Sequence, residues 1–243
     1  MNQQPSAPTD IDILRELTAS VTCVLFDFDG PLATLFHGRP APRVARVLKR
    51  RLRKWEGLKD AQRGCKNPLQ VVREHADHAR IGELEKLLAA QELRATFSAK
   101  PTPYADKLVR LLHEQGRTVA ITTNNSEGAV ANYLRLHGLA DYFGRHVYGR
   151  PEDIALMKPD PHILKLALES AGAASPADCL MIGDSPDDCI AADKAGVTFL
   201  GFANEGDKRD KRKKGDKEAQ LRDAGARYVV GSLKPLYSAA LAV

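Results

Sequence analysis

The stretch VTCVLFDFDGPLATLF, residues 21–36, decides how the rest of the chain is read. Val21 to Phe26 is a short run of apolar, largely β-branched and aromatic residues, closed soon afterwards by Gly30 and Pro31. That is the pattern of a buried parallel strand rather than of a helix. Side chains alternate along a strand, so Asp27 and Asp29 are expected on one face at its end. Two carboxylates so placed repel each other unless a proton or a cation compensates them. A purely structural turn has no need of such a pair.

Further strand signals follow at 117–123, about 145–148, 178–183, 197–202 and 227–230. Helical patterns separate them at 104–115, 127–137, 161–172, 187–195, 217–224 and 233–241. The alternation predicts an α/β fold, a mainly parallel sheet with helices on both faces. It stops between about 33 and 99, where PRVARVLKRRLRKWEG, NPLQVVREHADHAR and IGELEKLLAAQELRATF read as helices with breaks between them. Residues 1–32 and 100–243 are therefore expected to form the core, and 33–99 an inserted, all-helical unit. In open α/β sheets the ligand crevice lies outside the carboxyl ends of the strands. An insertion directly after the carboxylate strand is positioned as a lid. Residues 1–10 are polar with two prolines and are expected to be disordered, while Ile11, Ile13, Leu14 and Leu17 suit a short amphipathic turn.

With 243 residues and 43% hydrophobic content, the chain can bury a sizeable core as one domain with an insertion or as two small domains. No stretch approaches the roughly 18 consecutive apolar residues of a membrane span. The start MNQQPSAPTD lacks the basic-then-apolar order of a signal peptide, so a cytoplasmic location is expected. Cys23, Cys65, Cys179 and Cys189 have no C-x-x-C spacing, which points to neither a zinc site nor a disulfide framework. The net charge of +5 is concentrated: residues 207–217 hold seven basic and three acidic residues, and without them the chain is close to neutral. A general nucleic-acid-binding surface is thus a poor expectation.

Two more strand ends, and a segment between them, carry chemistry-bearing residues. Strand 117–123 ends in Thr123 and Asn124, just before a helix start, where amides and hydroxyls suit an anion. Strand 178–183 ends in Asp184, with Asp188 four residues later. Between them comes MKPDP, with Lys158 expected in an extended segment before its proline. In a parallel sheet these groups converge on one edge. Together they supply what phosphoryl transfer to a carboxylate needs. Asp27 can attack phosphorus and Asp29 can give and take the proton. Thr123, Lys158 and nearby amides such as that of Gly30 are the candidates for holding phosphate. Asp27 and Asp184, with Asp29 beside them, are the candidates for holding a hard cation such as Mg²⁺.

FDFDGPL, AITTNN, Lys158 in KPDP, and GDSPDDCIAADKAG resemble, in order and spacing, the four motifs of the haloacid dehalogenase-like superfamily. GRPEDIALMKPDPHIL is similar to the equivalent stretch of its phosphoglycolate-phosphatase-like members. The resemblance covers about residues 21–202. It implies a Rossmann-like core, a Mg²⁺-dependent phosphatase working through an aspartyl-phosphate, a helical cap inserted between the first two motifs, and a small phosphorylated metabolite as partner. Asp29 discriminates within the family, because dehalogenases and phosphonatases usually lack an acid there. Its presence favours phosphate-ester chemistry.

Other residues have blander readings. Ser185, Pro186 and Asp188 fit a capping box, to which an outer role toward Lys158 or a metal water is added for Asp188. Asp160 reads as a helix cap. Asn124 alone could be a turn residue; the resemblance adds phosphate contact. His75 and His78 read as a solvated helix face, and Trp55 as packing within the insertion. The basic run 207–217 reads as a charged loop, or as a device that draws anions toward the cleft. Two rivals to the phosphatase keep the same core: a sugar phosphomutase, and a catalytically weak protein that binds a polyanion through 207–217.

Overall fold

The computed structural model describes residues 10–60, 63–204 and 211–242, without the side chains of Asp10 and of 211–216. The expectation of disorder for residues 1–10 thus falls almost wholly outside the described residues.

The opening stretch forms β1 (Cys23–Phe26), the centre of the sheet. To one side lie β4 (Thr118–Thr122) and then β5 (Val147–Tyr148). To the other lie β6 (Cys179–Gly183), β7 (Thr198–Phe202) and β8 (Tyr228–Val230). The order β5-β4-β1-β6-β7-β8 is parallel throughout. Alternation along each strand builds two separate apolar layers. Val24, Phe26, Val119, Ile121, Leu180 and Ile182 face one layer; Cys23, Leu25, Ala120, Cys179 and Met181 face the other.

The first layer is covered by α1 (Asp10–Ala19), α5 (Ala105–Glu114), α6 (Glu127–Leu136), the single turn α7 (Ala140–Phe143) and α11 (Lys234–Ala240). The second is covered by α8 (His162–Ala171), α9 (Pro186–Ala195) and α10 (Lys211–Asp223). A doubly covered, mainly parallel α/β sheet is thus what the chain forms. The amphipathic turn expected near Ile11 is a full ten-residue helix.

Register positions the site. Phe26 pairs with Ile121 on one side and Ile182 on the other. The next residues of the three strands, Asp27, Thr122–Thr123 and Gly183–Asp184, therefore leave the sheet together at its carboxyl edge.

Between β1 and β4 come α2 (Ala41–Lys54), α3 (Pro68–Arg73) and α4 (Ile81–Thr96). Val44, Ala45, Leu48 and Leu52 lie on one face of α2 and pack with Val71, Val72, Leu84 and Leu88 into a small apolar cluster of their own. The segment 33–99, read as free of strands, contains one. A two-residue strand β2 (Ala33–Thr34) pairs antiparallel with β3 (Lys100–Pro101), tying the exit of the insertion to its return. Two residues leave no periodicity to read. Residues 211–217, read as part of a charged loop, begin α10, while 207–210 lie outside the described residues. No helix among the described residues is long and apolar enough to cross a membrane.

Leu48 is fully buried in the cluster of the insertion. Leu48→Ala is expected to cost about 2–5 kcal/mol, with amide protection lost first in α2, α3 and α4 while β1 and β6 keep theirs. Hydrogen exchange checks this, and equal loss in both regions would show that insertion and sheet open as one unit.

Candidate active site

A cavity of about 500 Å³ lies over the carboxyl edge of the sheet. Asp27, Asp29, Thr123, Asn124, Lys158, Asp184 and Asp188 line its floor; Phe36, Lys66, Leu69, Arg73 and Glu92 line it from the insertion and its stem. Every site residue expected from sequence, Gly30 apart, borders this space.

Lys158 is the hub. Its Nζ donates to Asp27 Oδ1 at 2.9 Å, to the Thr122 carbonyl at 2.7 Å and to Asp188 Oδ1. The residue is 1% exposed. Burial works against its charge, but Asp188 and Asp27 outweigh burial and hold its pKa above the usual lysine value. It sits in a turn closed by the Asp160 amide donating to Met157 O at 2.9 Å, not in the extended segment expected from sequence. Asn124 fixes that turn. Its side-chain amide donates to Lys158 O at 3.0 Å, and its side-chain oxygen accepts from Lys158 N, also at 3.0 Å. The Asn124 side chain, read as a phosphate contact, is thus engaged in holding Lys158.

Asp188 fills both roles considered for it. Ser185 Oγ accepts from its amide, and its Oδ2 accepts from the Ser185 and Asp184 amides at 3.0 and 3.1 Å, completing the capping box of α9. Its other oxygen is the one that meets Lys158. Gly30 has a different task from the phosphate contact expected of it. Its amide already donates to Ala33 O at 2.7 Å. Its φ is +136°, and a Cβ there would run into the Asp184 carboxylate, so only glycine fits. Thr123 is buried and borders the cavity, and its Oγ1 donates to Asn125 Oδ1 at 3.1 Å and accepts the Asn125 amide at 3.2 Å.

The carboxylates raise one another. Burial, then the charges of Asp188 and Asp184, push Asp27 up to about 7 against the opposing pull of Lys158. Burial and then Asp184 push Asp29 up to about 7. Burial also raises Asp184, opposed mainly by Lys217, whose ammonium seats on Asp184 Oδ2. Ligand-type oxygens of Asp27, Asp184 and Asp188 lie within 4.8 Å of one another. Asp29, grouped with Asp27 and Asp184 as a metal ligand, lies outside that set; its Oδ1 accepts the Leu35 amide at 2.8 Å. Asp188 is saturated by its own donors. Asp27 and Asp184 remain as hard oxygen donors carrying excess buried negative charge, a set that fits a divalent cation.

Several contacts had no sequence signal. Arg73 of α3 donates to Asp187 Oδ2 at 2.8 Å and to the Lys158 carbonyl. Glu92 of α4 is buried and meets Arg150 through two parallel bonds of 3.0 and 3.1 Å, while also accepting from the Asn125 side chain and the Ser126 amide. Pairs 58 and 114 residues apart leave no local pattern. His75, read as solvated, is fully buried beyond the end of α3. Its Nδ1 meets Val71 O at 2.7 Å and its Nε2 accepts the Lys59 amide. Trp55 packs within the insertion under Arg80 and His78 and does not border the cavity. Asp160 accepts the His162 amide at 2.9 Å, a structural bond at the start of α8. A larger cleft of about 800 Å³, lined by Glu85, Lys86 and Arg150 among others, contains none of the converging carboxylates.

The family model of haloacid dehalogenase-like hydrolases matches residues 21–196. A phosphoglycolate phosphatase of Rhodospirillum rubrum is 31% identical over 192 residues, covering 73% of this chain and 77% of that protein. Its namesake in Vibrio vulnificus is 34% identical over 100 residues, covering 41% of this chain and 42% of that protein. The chain thus spans less than half the length of the Vibrio relative. A solved structure of a predicted phosphatase from Clostridium acetobutylicum superposes with a TM-score of 0.65 at 22% identity, covering 92% of this chain and 99% of that one, a likeness of fold.

The raised Asp29 has a stability consequence whose sign is fixed. A carboxyl whose folded pKa lies near 7 against 3.8 unfolded binds its proton more tightly when folded, so stability falls as pH rises from about 4 to 7. In EDTA, Asp29→Asn is expected to raise the melting stability at pH 8 by roughly 1–3 kcal/mol, with the gain vanishing toward pH 4. Thermal melts across that range measure it; a gain independent of pH would show that Asp29 is not held neutral by the fold.

Proposed function

Because this chain belongs to the haloacid dehalogenase-like hydrolases, we propose that it is a phosphatase that hydrolyses a small organic phosphate monoester through a phosphorylated Asp27. The observation that carries the reading is the convergence of Asp27, Asp29, Thr123, Lys158 and Asp184 on one cavity, with the Lys158 ammonium on Asp27.

In the first step an Asp27 oxygen attacks phosphorus, and the bond from phosphorus to the alcohol oxygen breaks. Asp29 passes its proton to that oxygen as the alcohol leaves. In the second step a water attacks the same phosphorus, Asp29 takes the water's proton, and phosphate departs as the Asp27 carboxylate is restored. A carboxyl pushed up to about 7 suits a group that must give and then accept a proton near neutrality. Lys158, fixed by Asn124 and Asp188, keeps positive charge beside Asp27 while the Thr123 hydroxyl faces the phosphoryl oxygens. Asp27 and Asp184 would hold Mg²⁺, which supplies charge neutralisation for the incoming phosphate dianion.

The helical insertion acts as a cap. Its stem is the β2–β3 pair, and Arg73 and Glu92 fasten it to the core in the closed form. Closure excludes water during the first step and gives the cap the task of selection. Phe36 and Leu69 offer an apolar wall. Among the described cations of the cavity, Lys158 and Arg73 are engaged by other groups, while Lys66 is exposed and without a partner. A phosphate ester whose alcohol carries an acid group fits such a wall, and the relatives' name, phosphoglycolate phosphatase, agrees with that class.

Phosphate release across phosphoglycolate, sugar phosphates, polyol phosphates and nucleoside monophosphates tests the reaction. Asp27→Asn and EDTA are each expected to lower turnover by at least about a thousandfold. Full metal-dependent turnover by Asp27→Asn would refute the nucleophile. Lys66→Met is expected to lower kcat/KM about three- to tenfold on acid-bearing esters, and to leave esters of uncharged alcohols within about twofold. An equal loss on both would remove Lys66 from selection.

A further inference from the structure

Two lysines bring positive charge to the carboxylate cluster, and they are held in different ways. Lys158 is sealed in, with Asp27, Asp188 and the Thr122 carbonyl around its ammonium and 1% of the residue exposed. Lys217 arrives from α10, does not line the substrate cavity, and has 33% of its side chain exposed while its ammonium meets Asp184 Oδ2. Its charge also acts on Asp29.

The placement is built into the helix. Leu221 lies four residues on, on the same face of α10, and is fully buried against Gly201 of β7. The Cys189 thiol donates to Ala224 O at 3.4 Å and ties the end of the same helix to α9. With Leu221 anchored, the turn that carries Lys217 is turned toward Asp184. The four-carbon stem then delivers the ammonium, and it can withdraw that ammonium to solvent without moving the helix.

We propose that Lys217 is an internal competitor of the divalent cation: it neutralises Asp184 when the cation is absent and gives way when the cation enters. The inference rests on the reading in which Asp27 and Asp184 hold that ion. A divalent ion between the two carboxylates and an ammonium on one of them are like charges a few ångströms apart in a poorly screened place, so they are not both held at full strength. One must yield. Lys158 has no solvent to retreat to, whereas a third of the Lys217 side chain already faces it.

The exchange discriminates by charge. Replacing the ammonium with Na⁺ or K⁺ leaves the total charge of the cluster unchanged, so nothing compensates for stripping water from the incoming ion. Replacing it with Mg²⁺ adds one positive charge to carboxylates that carry an excess of negative charge. Lys217 thereby makes the site select doubly charged ions, and α10, the helix that begins inside the basic run, becomes part of the machinery that sets metal affinity.

Calorimetric titration of the full chain with MgCl₂, without substrate, is the test. Lys217→Met is expected to bind Mg²⁺ about tenfold more tightly than the natural chain and to lose much of its discrimination against K⁺. A thermal melt of the ion-free variant establishes that it is folded. As an independent readout on the natural chain, amine acetylation followed by mass spectrometry is expected to label Lys217 several-fold faster once Mg²⁺ is added. A Kd for Lys217→Met within twofold of the natural value, or weaker, overturns the proposal. So does Lys217 labelling that ignores Mg²⁺. Neither measurement reads turnover, so their failure leaves the attack by Asp27 standing, and an inactive enzyme leaves them interpretable.

Discussion

The arrangement depends on one constraint: the neighbouring parallel strands β1 and β6 end side by side and, with the start of α9, deliver carboxylates to the same small volume. Like charges taken out of water must be compensated or protonated. Lys158 compensates Asp27 and Asp188 at once, and much of the surrounding detail serves that ammonium. The Asn124 amide grips its backbone from both sides. The capping box of α9 orients Asp188 so that one oxygen is spent on helix amides and the other on Lys158. The absence of a side chain at Gly30 leaves room for Asp184. A local helix cap and a charge relay across the sheet are thus one set of atoms, and neither can be altered without the other.

How much of this could be read from the chain follows from the range of each interaction. β1, β4, β6 and β7 were legible because short continuous apolar runs and closing turn residues lie within six or seven positions. Asp27, Thr123 and Asp184 were legible because parallel strands share one carboxyl edge, so that residues at strand ends must converge; Lys158 was legible from the KPDP segment between two of those strands. The tasks of Gly30 and Asn124 were not. Both sit at expected places, yet whether an amide is free or spent depends on partners such as Ala33 and the turn at Lys158, which only the folded backbone brings near. His75 was misread for the same reason: its helix ends at Arg73, and the ring then turns inward to meet the Lys59 amide.

The insertion illustrates what topology contributes beyond motif. Its helices bury Val44, Leu48, Val71 and Leu84 against one another rather than into the sheet. The insertion is tied to the core by Ala95 of α4, which joins the sheet-side apolar layer, and by polar contacts: Arg73 with Asp187 and the Lys158 carbonyl, and Glu92 with Arg150, Asn125 and the Ser126 amide. A unit with its own apolar cluster keeps that cluster covered whatever its position relative to its neighbour. The fastenings also end on the backbone of residues that build the site. Arg73 reaches the carbonyl of Lys158 itself, so the position of the insertion is sensed at the hub of the buried charges.

That coupling gives the two sides of the cavity separate tasks. The floor is fixed by sheet register and by the charge balance around Lys158, so it has little freedom to rearrange. The roof has that freedom. Phe36 follows the stem strand β2, Leu69 lies in the first turn of α3, and Lys66, in the loop just before it, has no partner among the described residues. On the proposed reading, differences in substrate choice are therefore most readily made in the roof, at little cost to the buried charges below. On that reading the floor sets the reaction, and it holds a phosphoryl group at the same point whatever alcohol the roof admits.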